Sequence, residues 1–191
     1  MSKDKSFSFF PFLMFFLLLT FLTGKQVMRP IDICITNAIQ YFGSKPLDYA
    51  FYFFTLLGSV EFSGFALVVV LFYFYRKYQS PGVFSYLFYF VLLSVIELIW
   101  KHVVCYVGPG IEFDRNPFHW PLIYVSAPYS FPSGHAFRAA FLLGVWYQWL
   151  KRFMSTASQS VRLQKGIILF LLITAGISRI YLGDHWFSDV V

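Results

Sequence analysis

The chain has 191 residues, 58% of them hydrophobic and only 13% charged, with 26 phenylalanines and a formal net charge of +6. A soluble domain carries roughly a quarter charged residues; here the apolar residues run in long blocks instead of amphipathic stripes, which excludes a soluble globular class and indicates an integral membrane protein. The basic residues sit in short clusters between those blocks, a pattern of membrane topology and not of a nucleic-acid partner, and the length suggests a single domain over 1–191.

The first apolar block covers 6–22, after Lys3 and Lys5. No small-residue cleavage site follows it, so it reads as a retained span, with Pro11 tolerated in its first turn. Residues 24–48 are mixed, and "IDICITNAIQYF" spaces its apolar residues for a short helix on the membrane surface. The second block, 49–75, is interrupted by "GSVEFSG" and closed by Arg76-Lys77; "QSPG" is a turn. The third block runs over 83–100. A polar connection over 107–132 holds five prolines and so is not one continuous helix. The fourth block begins at "PSGH" and ends at Leu150, a basic, Ser-rich linker covers 151–165, and the fifth block runs over 166–182. The expected fold is all-α, a polytopic transmembrane helix bundle with five spans. Cys34 and Cys105 form no metal motif, and a disulfide between them is not expected.

Lys and Arg concentrate at the N-terminus, at Arg76-Lys77 and in the 151–165 linker, which the positive-inside rule places in the cytoplasm. Alternation then brings Lys101, the 132–138 segment and the C-terminal "SRIYLGDHWFSD" to the outer face, so three polar clusters distant in sequence converge at one membrane level. Ionisable residues at span ends are costly unless they are paired or used.

The convergent set is Lys101, Ser133, Gly134, His135, Arg138, Ser178, Arg179, Asp184, His185 and Asp189. Two histidines with several cations suit phosphoryl transfer, in which charge spread over three oxygens is stabilised by positioning and electrostatics. Arg179 can fork onto two oxygens and Lys101 adds a point charge. Gly134 lets the backbone approach a phosphate, and a helix starting there aims N–H groups at an anion, with Ser133 at the N-cap. His185 and Asp189 are four apart and share a face on a helix, so the carboxylate can hold one ring nitrogen while the other attacks. His135 is then the acid that protonates the leaving oxygen and later activates water. A divalent ion on the histidines and aspartates is disfavoured, because Lys101 and Arg179 would share its pocket. Glu97, four before Lys101, reads as the partner that holds it, and Glu61 as a residue satisfied by another span.

"PSGH" at 132–135 and "SRIYLGDHWFSD" at 178–189 resemble the second and third signatures of the type 2 phosphatidic acid phosphatase and vanadium haloperoxidase superfamily. The stretch "KHVVCYVGP" resembles the first, and "LDYAFYFFTLLGSVEF" resembles the family's second span. The resemblance implies a phosphohistidine on His185 oriented by Asp189, with His135 as general acid and base. It further implies phosphate binding by Lys101, Ser133, Gly134 and Arg179, and no metal cofactor.

Gly108 stands where the family's first signature has an arginine. Arg138, one turn beyond His135, is expected to replace it, with Arg115 as the alternative. The family continues into a sixth span after the final aspartate, so the chain is expected to be part of a longer protein, with His185 and Asp189 on a frayed end. The expected activity is hydrolysis of a lipid phosphate or polyprenyl diphosphate, such as undecaprenyl diphosphate, phosphatidic acid or phosphatidylglycerol phosphate, at the outer face of a bacterial inner membrane. The alternatives are a lipid phosphotransferase using the same intermediate, and a catalytically degenerate protein of the same fold. A soluble haloperoxidase does not fit this composition.

Overall fold

The structure is a computed structural model, which describes residues 9–118, 128–154 and 158–191. Lys3 and Lys5, part of the long connection (119–127) and part of the Ser-rich linker (155–157) lie outside the described residues. Eight α-helices follow in chain order among the described residues: α1 (Phe10–Gly24), α2 (Arg29–Gln40), α3 (Lys45–Thr55), α4 (Val60–Tyr78), α5 (Ser85–Val104), α6 (Gly134–Phe153), α7 (Gln159–Tyr181) and α8 (Phe187–Val190). Among the described residues, the extended pairing is one antiparallel bridge between Val107 and Tyr129, which closes the base of the long connection.

Helix boundaries follow local chemistry. Prolines 11, 30 and 46 sit in the first turns of α1, α2 and α3, where a missing N–H costs nothing. α1 and α2 meet at 96°, so α2 turns away from the direction of α1. The interruption falls at the start of "GSVEFSG": a 3-10 turn over Leu56–Gly58 bends α3 against α4 by 54°, and residues 60–64 already belong to α4. α4 restarts at Ser59, whose hydroxyl accepts the Phe62 backbone N–H at 3.2 Å.

Residues Pro81–Val104 and Gln159–Tyr181 are each long and apolar enough to cross a membrane, and up to four spans result if each bent pair counts as one. The fourth expected span is α6. It has the length of a span but carries His135 and Arg138, so it falls short of span-like apolarity, and it packs among α4, α5 and α7. Phe, Leu, Ile and Val side chains on α1, α4, α5 and α7 are exposed, as lipid contact requires. Inside, Leu67, Leu71 and Phe74 of α4 pack with Phe90 of α5 and Val145 of α6. A second cluster at the opposite end joins Leu19, Val104, Tyr106, Phe131 and Trp186, and it supports the polar residues described next.

Candidate active site

α6 begins where the sequence places a helix start. Ser133 is the N-cap, and its Oγ accepts the Ala136 N–H at 3.4 Å. Gly134 is closely packed: a Cβ there would lie 2.9 Å from both Arg138 Nη1 and Glu97 Oε1, so the ends of both side chains would have to move. Gly58 is constrained more strictly, because a Cβ would run into the backbone of His135. The 3-10 turn thus rests directly on the first turn of α6, and the Gly58 carbonyl accepts Arg138 Nε at 2.8 Å.

A cavity of about 910 Å³ collects Lys101, Gly134, His135, Arg138, Arg179 and His185 from three parts of the chain. Lys101 Nζ is 3.2 Å from Glu97 Oε1 and donates to the Ser130 carbonyl at 3.0 Å. Glu97 therefore holds Lys101 as expected, and its other oxygen lies 3.9 Å from Arg138 Nη1. Arg138 Nη2 is 3.5 Å from His135 Nδ1. Arg179 Nη1 donates to Thr55 Oγ1 at 2.6 Å and pairs with Asp184 at 3.0 Å, leaving its Nε without a hydrogen-bond partner. Glu61 also lines this cavity.

His185 and Asp189 meet, but not as two residues of one helix. α8 starts only at Phe187, and Asp189 sits in its first turn, where its Oδ2 accepts the Trp186 backbone N–H at 2.8 Å. The same oxygen lies 3.3 Å from His185 Nδ1. A carboxylate oxygen only accepts, so Nδ1 carries the proton and Nε2 is left with its lone pair. Burial, then the positive charges of Arg179 and Lys101, hold the His185 pKa well below its usual value, which keeps the ring neutral. Burial pushes the Asp189 carboxyl up to about 7, against the Trp186 hydrogen bond that favours its ionised form.

Three expectations need correction. The His185–Asp189 segment is not frayed: His185 is 8% and Asp189 4% exposed, and the Asp189 carbonyl accepts the Ser133 N–H at 2.8 Å. Arg115 is not at the site. Its guanidinium binds Asp48 at 3.0 Å and lies over the Tyr181 ring, outside the residues that line the cavity. Ser133 Oγ accepts a backbone N–H at the helix cap, and the residue borders a separate apolar groove of about 580 Å³ instead of the polar cavity.

Sequence reasoning missed Thr55, the partner of Arg179, and the acceptor role of the Gly58 carbonyl; both follow from the bend between α3 and α4. It also missed Asp32, whose buried carboxylate accepts hydrogen bonds from Ser188 and Tyr106. Among the described residues, no group of three or more His, Cys, Asp and Glu side chains is placed to hold a metal ion, and Cys34 and Cys105 are free thiols.

The model of the PAP2 superfamily matches residues 82–191. Phosphatidylglycerophosphatase B of Bacillus subtilis (strain 168) is 30% identical over 186 residues, covering 93% of this chain and 83% of that protein. The crystal structure of a transmembrane PAP2-type phosphatidylglycerolphosphate phosphatase from Bacillus subtilis matches the fold with a TM-score of 0.78 at 24% identity, over 93% of this chain and 84% of that one. With a family model over more than half its length and two signatures converging on one cavity, the chain belongs to the PAP2 superfamily and is a membrane phosphatase of that type.

Proposed function

We propose that the protein hydrolyses a lipid phosphate at the outer membrane face through a phosphohistidine on His185. The observation that carries this reading is the cavity itself, which two imidazoles and three cationic side chains line. Leu56, Val60, Phe90, Val91, Val95 and Leu98 also line it, which suits a phosphate whose tail lies in the bilayer.

His185 Nε2 attacks phosphorus, the bond from phosphorus to the lipid oxygen breaks, and His135 gives that oxygen a proton. Water then attacks phosphorus and the phosphorus–nitrogen bond breaks as His135 takes the water proton, which releases phosphate and restores neutral His185. Asp189 keeps Nδ1–H in place and stabilises the positive ring of the intermediate. Lys101, Arg138 and Arg179, with the N–H groups opening α6 at Gly134, bind the phosphoryl oxygens. Ser133 contributes by fixing that helix start. Three cationic side chains supply the charge that a metal ion supplies elsewhere, so no metal cofactor is required.

The relative's name makes phosphatidylglycerol phosphate the first substrate to test, followed by phosphatidic acid and undecaprenyl diphosphate. The assay is phosphate release by detergent-solubilised protein in EDTA. Release that persists in EDTA and disappears in His185→Ala supports the reading; no release from any of the three, or an active His185→Ala, refutes it.

A further inference from the structure

Asp32 belongs to no motif and lies on α2, the helix that runs across the end of the bundle. It is fully buried, at 0% exposed. Its Oδ1 accepts the Ser188 N–H at 2.9 Å, and its Oδ2 accepts the Ser188 hydroxyl at 2.7 Å and the Tyr106 hydroxyl at 2.7 Å. All three donors are neutral groups. Burying a charge is costly unless every acceptor site is satisfied, and a neutral side chain would fill the same space at lower cost.

The three donors lead into both halves of the site. Ser188 lies between Trp186 and Asp189, so fixing its N–H and hydroxyl fixes the turn that presents the Asp189 carboxylate to His185. Tyr106 leads the other way. Its carbonyl accepts the Ser130 N–H at 2.7 Å and the Ser130 hydroxyl at 3.2 Å, and the Ser130 carbonyl in turn accepts Lys101 Nζ at 3.0 Å. One carboxylate therefore clamps the segment that carries the nucleophile and the segment that holds the phosphate-binding lysine. These segments are far apart in sequence, and Asp32 bonds to side chains of both.

We propose that Asp32 is a positioning residue for phosphoryl transfer, which sets the placement of His185 relative to the Lys101-bound phosphoryl group by holding Ser188 and Tyr106 together. The proposal rests on the phosphatase reading above. Burial and the bond to Asp32 raise the Tyr106 pKa, so the hydroxyl remains a donor throughout the working range. The role is geometric, and it acts on the chemical step more than on capture of the lipid: an error of about 1 Å in attack geometry costs on the order of a hundredfold in rate.

The test uses the full chain in detergent with Asp32→Ala, Asp32→Asn and, as control, Cys34→Ser, an exposed position on the same helix. Asp32→Ala is expected to lower kcat by about 10- to 100-fold with KM within about twofold. Asp32→Asn is expected to stay within about threefold of wild type, because its carbonyl still accepts from Ser188 and its amide donates to the hydroxyl oxygens. Reaction of His185 with diethyl pyrocarbonate, read by mass spectrometry, should be faster in Asp32→Ala than in wild type and unchanged in Cys34→Ser. An Asp32→Ala enzyme with wild-type kcat, or a loss confined to KM, overturns the proposal. If Asp32→Ala does not fold, Ser188→Ala decides: a kcat lowered about threefold or more at constant KM supports the clamp, and an unchanged kcat overturns it. If the wild type releases no phosphate, the phosphatase reading fails by itself. The labelling rates then decide the clamp alone, faster labelling in Asp32→Ala supporting it and equal rates overturning it.

Discussion

The backbone N–H of Ser133 donates to the carbonyl oxygen of Asp189 at 2.8 Å. This single bond joins the residue just before the Gly134-His135 helix start to the last residue of the other signature. It ties the acid and the nucleophile together through main chain, which leaves their separation insensitive to side-chain rotamers. The side-chain half of the arrangement is the His185–Asp189 contact. Asp189→Asn keeps an acceptor for the Trp186 N–H but loses the negative charge beside the ring. kcat should fall by about 10²- to 10⁴-fold with the fold intact by circular dichroism, and a smaller loss would place the orienting role elsewhere.

The pH profile has a defined sign. With its carboxyl raised to about 7, Asp189 is protonated below that pH and ionised above it. His185, held well below its usual pKa, is already neutral in this range. The ionised carboxylate stabilises the positive ring formed on attack, so log kcat/KM, which reports the free enzyme, should rise with pH through about 7. Asp189→Asn should lack this limb. A profile falling across the same window would contradict the assignment.

Arg138 and Arg115 separate cleanly. Arg138→Ala removes a cation from the cavity wall and the bond to the Gly58 carbonyl. Phosphate-release assays should show kcat/KM lowered about 10- to 100-fold. Arg115→Ala breaks a partly exposed pair with Asp48 on the flank. It should leave kcat within about twofold and cost up to about 1 kcal/mol of stability, visible as a lower melting temperature.

Gly58→Ala tests the contact between the 3-10 turn and α6. The added methyl meets backbone, which cannot rotate away, so the turn or the helix must shift. A cost of about 1–3 kcal/mol is expected together with reduced kcat, because the shift moves His135 and Arg138. Thermal unfolding in detergent and initial rates check the two effects.

Orientation is tested with the natural thiols. Cys34 and Cys105 are both exposed, on α2 and at the end of α5. If the site faces outward, a membrane-impermeant maleimide labels both in intact cells. Labelling that requires permeabilised cells would reverse the proposed topology.

Much of the site was legible because its chemistry is written in short local patterns. The His185–Asp189 spacing, the Glu97–Lys101 pair and the helix start at Gly134 each join residues at most four positions apart, although His185 precedes α8 and the first pair meets across a helix start instead of along one helix face. The break at "GSVEFSG" was legible for the same reason. Asp32 was not, since its partner Ser188 lies 156 residues away and no local pattern links a carboxylate on an amphipathic surface helix to a serine near the chain's end. Arg179 was legible and its partner Thr55, 124 residues away, was not. Arg115 misled because a loop arginine near the site has no sequence mark that distinguishes a phosphate ligand from a brace for Asp48.

The bend between α3 and α4 has a consequence for how the arginine at the site is anchored. In an uninterrupted helix the Gly58 carbonyl would be consumed by the N–H of residue 62, four positions on. Here the Phe62 N–H turns to the Ser59 hydroxyl instead, and the released carbonyl becomes a socket for Arg138. A discontinuity in a span thus exports one main-chain acceptor to a neighbouring helix. Any change that let α3 and α4 zip into a single rod would withdraw that acceptor and set the arginine adrift, with no residue of the cavity itself altered.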